Sequence, residues 1–288
     1  MQARIYGMSD DEDKAIRLYR RAETAATKCG NLDLRVTSLV FGSDMLRSRG
    51  RYQEALANLA CVFDDNELYG RPYSRVWGRF YRGMTLCAMG QLGDGLQDLE
   101  DCRTAAIASG NQQANAWASL VLASYLRCIN IDAAQRATDD CEAAIRAYGG
   151  AMLMCDVRLA WERAELARAR DDDHEALQRI KALRKRLQHP SFPVRMPYMI
   201  PHMLAVEGEI ARSRGDLAAR SILRDARGLF AAGRWSHCVA RIDVSLWLMS
   251  GRDRPPAALL RKCRDAGYGT EVQRLTIPCP IYYPLHTL

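Results

Sequence analysis

The chain lacks the segments that would tie it to a membrane or to secretion. No run of about 18 apolar residues occurs along its 288 positions, so no transmembrane span is expected. The opening MQARIYGMSDDEDK has no apolar core behind a basic flank, so no signal peptide is expected and the cytoplasm is the expected location. No two cysteines have the C-x-x-C spacing, and most of the ten fall within helical patterns, Cys87, Cys102, Cys128 and Cys141 among them. They read as small buried thiols of a reducing compartment. Lysine is also scarce: Lys14, Lys28, Lys181, Lys185 and Lys262 leave arginine to supply 36 of the 41 basic residues behind a net charge of +7. A GC-rich coding sequence is one source of that bias; a need for planar, bidentate anion binders is the other. The sequence pI of 8.9 falls short of the strongly basic footprint of a nucleic-acid domain.

The usual catalytic signatures are missing too. There is no phosphate-cradling G-x-x-x-x-G-K-[ST], no G-x-G-x-x-G, no H-E-x-x-H and no G-x-S-x-G. His174, His189, His202, His237 and His286 have no metal-ligand spacing with cysteines or carboxylates. The acidic run Asp171, Asp172, Asp173 falls at a turn, where carboxylates favour the N-terminus of the next helix. The expectation is therefore a chain that is not an enzyme and holds no cofactor and no metal. A pocket closing around His174 or His202 with carboxylates would reverse it.

What the chain does have is a period. The stretch LRSRGRYQEALANLA, residues 46–60, puts two apolar half-stripes at helical spacing around a Gly-Arg-Tyr break. Matching turns occur at Asp10, Gly50, Gly90, Asn130, Asp171, Gly215 and Gly251, at intervals of 40, 40, 40, 41, 44 and 36 residues. A spacing near forty residues with a fixed turn signal marks an array of helical hairpins. Seven positions before the turn residue the first helix carries Ser43, Gly83, Ala123, Ala164 and Gly208, all small, as close helix contact requires. Four before it stand Leu46, Leu86, Leu126, Ala167 and Ala211, all apolar. The second helix opens on a small residue, as at Ala55, Gly95 and Ala176.

This pattern resembles the tetratricopeptide repeat (TPR) family, with its small residue midway in the first helix and its Gly-x-Tyr-x-x-Ala turn. The resemblance covers roughly residues 1–266 and is best at 33–63 and 75–105, although the repeat is longer than the usual ~34 residues. It is similar to the longer, degenerate TPR superhelices that serve as sensor regions in bacterial regulators and STAND-type signalling NTPases. The implied fold is an all-α, right-handed superhelix (an α-solenoid) of about seven hairpins, the first and last incomplete. Residues 1–268 would form the helical-repeat domain and 269–288, ending IPCPIYYPLHTL, an extended tail packed on or beyond the last hairpin. A capping box at Ser9 and Glu12 feeds a helix over 14–28 that has lost its first-helix partner. An array that starts on half a unit exposes an apolar face, so a longer protein or another chain is expected to cover that end. Four prolines at Pro190, Pro193, Pro197 and Pro201 predict a kinked or looped entry into the next helix, or a hinge or peptide-docking rim.

In the TPR family the first helices line a concave groove. Carried over by register, three positions before the turn stand Arg47, Cys87, Arg127, Arg168 and Arg212, and six before it Asp44, Met84, Ser124, Glu165 and Glu209. An acid three residues before an arginine shares its helix face, so Asp44–Arg47, Glu165–Arg168 and Glu209–Arg212 are candidate pairs. Trp77, Phe80, Trp117 and Trp161 occupy nearby first-helix positions. One reading is an ion-paired helix face with the tryptophans in the core between hairpins. The other is an arginine-lined groove with aromatic platforms, suited to an acidic peptide or a phosphate-bearing ligand. The Lys and Asn of the family's two-carboxylate clamp are not matched. The expected function is a non-enzymatic interaction domain for a protein or acidic peptide, the sensor or scaffold part of a bacterial regulator. Its partner could also be its own N-terminal effector domain. The alternative is nucleic-acid or nucleotide binding by the arginine-lined face, and no membrane partner is expected.

Overall fold

The computed structural model describes residues 12–65, 68, 70, 73–127, 129–189, 192, 199–233, 236–251 and 255–265. Among these the chain forms thirteen α-helices and no strand. In chain order they are α1 (Glu12–Lys28), α2 (Leu32–Ser48), α3 (Tyr52–Phe63), α4 (Arg79–Ala88), α5 (Leu92–Ala108), α6 (Gln112–Leu126), α7 (Ile131–Tyr148), α8 (Leu153–Ala169), α9 (Asp173–Gln188), α10 (Met199–Ser213), α11 (Ala219–Ala232), α12 (Ser236–Leu248) and α13 (Ala257–Asp265). A π-helical turn, Ser74–Gly78, leads directly into α4. The described residues fall into two compact units, one from stretches 12–122 and 140–154, the other from 123–139 and 155–265. Within each, helices pack in chain order: α1 on α2, α2 on α3 and α4 on α5 in the first, α9 on α10, α10 on α11, α11 on α12 and α12 on α13 in the second.

The turns explain the period. At Gly50 the amide donates to Arg47 O (2.9 Å) while the next amide, of Arg51, reaches back to Leu46 O (2.9 Å). This double closure needs a left-handed residue at its centre, and Gly50 has φ 72°. Gly90 and Gly215 repeat the two bonds, to Cys87 and Leu86 and to Arg212 and Ala211. Asp171 does the same without being a glycine, at φ 60°, which a short polar side chain tolerates better than most. Its neighbour Asp172 caps α9 by accepting from the Glu175 amide (3.0 Å), so the acidic run serves a helix start. Asn31 caps α2 in the same manner.

The small residues mark where backbones meet. A Cβ added at Gly83 would lie 2.7 Å from Gly95 O, and one at Gly95 would lie 2.8 Å from Gly83 O, so α4 and α5 touch without side chains between them. Ser43, Ala123 and Ala164, in the same row, have no exposed surface. Ala15, Ala55, Ala134, Ala176 and Ala219, near the starts of second helices, are equally buried. Larger apolar groups fill the rest. Phe80, Leu59, Leu99 and Trp117 are fully buried in the first unit, as are Ile180, Met199, Met203 and Phe230 in the second. Each contributes about 1.5–3 kcal/mol of transfer free energy. Cys87, Cys102, Cys141, Cys155, Cys238 and Cys263 are buried free thiols, whereas Cys29 and Cys61 are exposed. Burial pushes Cys102 up to about 12 and Cys263 to about 11, which leaves both as inert core groups.

Pro201 sits in the first turn of α10, where its missing amide breaks no helical bond. Pro190, Pro193, Pro197, the capping box at Ser9 and the tail 269–288 lie outside the described residues. No described helix is long and apolar enough to cross a membrane.

Candidate functional site

The residues singled out from the sequence divide between the units. Asp44, Arg47, Trp77, Phe80, Met84 and Trp117 belong to the first; Arg127, Trp161, Glu165, Arg168, Glu209 and Arg212 belong to the second. All three proposed acid–arginine pairs form.

In the first unit, Arg47 donates from Nε (3.1 Å) and Nη2 (2.6 Å) to Asp44 Oδ1, with both side chains buried. Aromatic rings surround this part of the unit. Trp77, on the π turn, meets Phe80 edge-on at 5.4 Å between centroids, and Phe80 meets Tyr81 at 5.2 Å. Phe41 and Tyr73 join through Tyr81 and Trp77. Burial first, and the nearby Asp44 carboxylate second, push the Tyr81 phenol well above its usual range. Trp77, Phe80, Met84 and Trp117 are all buried, so in this structure they work as core.

The second unit holds the denser site, drawn from α6, α8 and α12. Arg127 Nε lies 2.9 Å from Glu162 Oε1, and its Nη1 donates to Glu165 Oε2 at 2.8 Å. Arg168 donates to the same Glu165 oxygen from Nε (3.0 Å) and Nη2 (2.9 Å). Arg241 Nη2 stands 3.7 Å from Glu165 Oε1. Ser124 donates its hydroxyl to Glu162 Oε2 at 2.7 Å. Arg127, Glu162 and Glu165 have essentially no exposed side-chain surface, while Arg241 and Arg168 keep 11% and 16%. The group has a dry floor and a partly wet rim.

The two carboxylates behave oppositely. Burial works against ionisation of Glu165, but Arg168, Arg127 and Arg241 together outweigh it and hold the carboxyl well below its usual range. At Glu162 burial prevails over Arg127 and Ser124, and the charge on Glu165 adds to it, so this carboxyl is raised. Identical burial yields opposite shifts because Glu165 meets three guanidinium groups and Glu162 one.

Nearby elements carry a second, simpler pair. Arg212 Nε donates to Glu209 Oε2 at 2.9 Å, and Ser245 donates to the other Glu209 oxygen. Trp161 is buried with its ring edge-on to His202 (5.9 Å between centroids), which in turn stands 4.6 Å from Phe230. His202 is thus set among rings, and His174 is exposed beside Gln178. Among the described residues no group of three His, Cys, Asp or Glu side chains is placed to hold a metal ion.

Sequence reasoning missed Glu162, Arg241, Ser245 and the buried Arg158. Glu162 and Arg158 lie three and seven residues before Glu165 on α8, so helical spacing alone could have found them. Arg241 reaches Glu165 from 76 residues away and has no local signal. Compared with protein-family models and with curated proteins, the chain matches none.

Proposed function

We propose that the chain is a TPR-like, right-handed superhelix of about seven hairpins that acts as a non-enzymatic interaction domain. Its ligand is a protein or an acidic peptide held along the first-helix face. Its setting is the cytoplasm of a bacterium, as the sensor or scaffold part of a STAND-like regulator. The observation that carries this reading is the arginine recurring at one register position, Arg47, Arg168 and Arg212, each held by an acid three residues earlier. A guanidinium already ordered by its neighbour loses less freedom when it grips a ligand, which favours binding. Arg212 and Arg168 are the most accessible of the three.

The test is fluorescence anisotropy with a labelled oligo-glutamate peptide, an oligo-lysine peptide and a single-stranded RNA of equal charge. The glutamate peptide should bind, and Arg212→Glu together with Arg168→Glu should weaken it at least about tenfold, a 1.4 kcal/mol loss. Binding that ignores both reversals refutes the reading. RNA binding tighter than peptide binding, and falling steeply with salt, replaces it with nucleic-acid recognition.

A further inference from the structure

We propose that Arg127, Arg168 and Arg241 of the second unit form a receptor for a small dianion, a phosphate monoester or a short dicarboxylate, entering beside Arg168 and Arg241. This site is separate from peptide binding and does not depend on it. Three observations lead there.

The first is convergence. Guanidinium groups from α6, α8 and α12 meet on one carboxylate, Glu165, from positions 127, 168 and 241. Their planar forks match the oxygens of phosphate and carboxylate. The second is charge. Three cations face two carboxylates, Glu162 and Glu165, leaving the group positive by one. Excess charge in a water-poor interior is expensive, so an arriving anion is favoured. The upward displacement of Glu162 works in the same direction, because a proton taken up there raises the excess to two. The third is access. Arg127 is sealed, but Arg168 and Arg241 retain some exposed surface on the two sides of Glu165. So narrow an opening admits a small molecule and excludes an extended chain. Glu165 is then a positioning residue: it keeps Arg127 and turns the two rim arginines toward the opening.

The experiment is thermal unfolding of the full chain, followed by circular dichroism, during titration with inorganic phosphate and separately with succinate. Sodium chloride at matched ionic strength is the reference. At least one dianion should raise Tm saturably, by about 5 °C near saturation. Arg241→Gln and Arg168→Gln should each weaken the response at least about tenfold, and Arg241→Lys should restore part of it, because it returns the charge without the fork. Phosphate acting alone assigns the site to phosphate monoesters; succinate acting alone assigns it to dicarboxylates. A rise no larger than that with chloride overturns the proposal, and so does a rise that survives both substitutions. If Arg241→Gln loses its helical signal, Arg168→Gln decides the matter, since its side chain is the more exposed. Peptide binding that persists without any dianion response removes this proposal alone. Absence of both removes the interaction-domain reading as well.

Discussion

The two units build corresponding first helices from the same rows and fill them with different chemistry. In the first, Phe41, Tyr73, Trp77, Phe80 and Tyr81 pack ring against ring, with Asp44–Arg47 the ion pair beside them. In the second, Arg127, Glu162, Glu165, Arg168 and Arg241 occupy the interior. Rings enter a core at a gain, through area and edge-to-face contact. Ions enter at a desolvation penalty of several kcal/mol each, recovered only with good geometry. Repeat geometry therefore dictates how large these side chains are and leaves their polarity to other demands. The ring-filled unit stabilises the chain; the ion-filled unit is where a demand other than stability is visible.

The comparison is easiest to break with deletions. Arg127→Ala leaves Glu162 and Glu165 buried with fewer cations and should cost about 3–5 kcal/mol in urea unfolding. Phe80→Ala in the first unit should cost a similar ~3–5 kcal/mol, through a cavity instead of a stranded charge. A loss below about 1 kcal/mol for Arg127→Ala would mean that its ions behave like surface pairs, and the contrast would collapse. A smaller effect comes from the row of small residues. Gly83→Ala should destabilise by about 1–3 kcal/mol, because its new methyl would meet Gly95 O and Leu99 at 2.7 and 2.9 Å. The corresponding Ala164→Gly in the second unit should cost only about 1 kcal/mol, as a helix-propensity loss. Equal values in Tm measurements would show that the two rows are not equivalent in closeness.

The subtlest test is pH. Glu162 has a raised folded-state value, so it favours the folded chain when protonated; that stability is full below the unfolded value of about 4.3 and is lost as pH rises through the folded value. Glu165 has a lowered value, so its contribution is present above about 4.3 and lost as pH falls further. The wild type should gain Tm relative to Glu162→Gln on acidification from neutrality toward that value. The two proteins should decline together below it. Parallel curves over the whole range would show that Glu162 is not held apart from its neighbour.

Much of this was legible in the chain. The closures at Gly50, Gly90, Asp171, Gly215 and Gly251 stand where the spacing puts them, all with positive φ, because a helix end leaves few local solutions. The small row at Ser43, Gly83, Ala123, Ala164 and Gly208 is buried for an equally local reason. The three acid–arginine pairs followed from spacing on one helix. Arg241 and Ser245 did not, because their contacts with Glu165 and Glu209 cross 76 and 36 residues and depend on how hairpins stack. The tryptophans were ambiguous for the same reason: Trp77, Trp117 and Trp161 have the spacing of either a core or a groove, and only packing makes them core.

The hydrogen-bonded closures at Gly50, Gly90 and Gly215 also set a phase. Each fixes which way the last turn of its helix faces, and with it the arginine or cysteine three residues earlier. One residue inserted between Gly83 and Gly90 would turn everything on one side of it by about 100° relative to the other, separating the small residue from the closure it belongs to. The same residue inserted just after Gly90, in the link to α5, shifts no side chain within α4. The chain thus reads like a musical score, with bar lines at its left-handed residues: length can change freely at the bar, while within it every beat is counted.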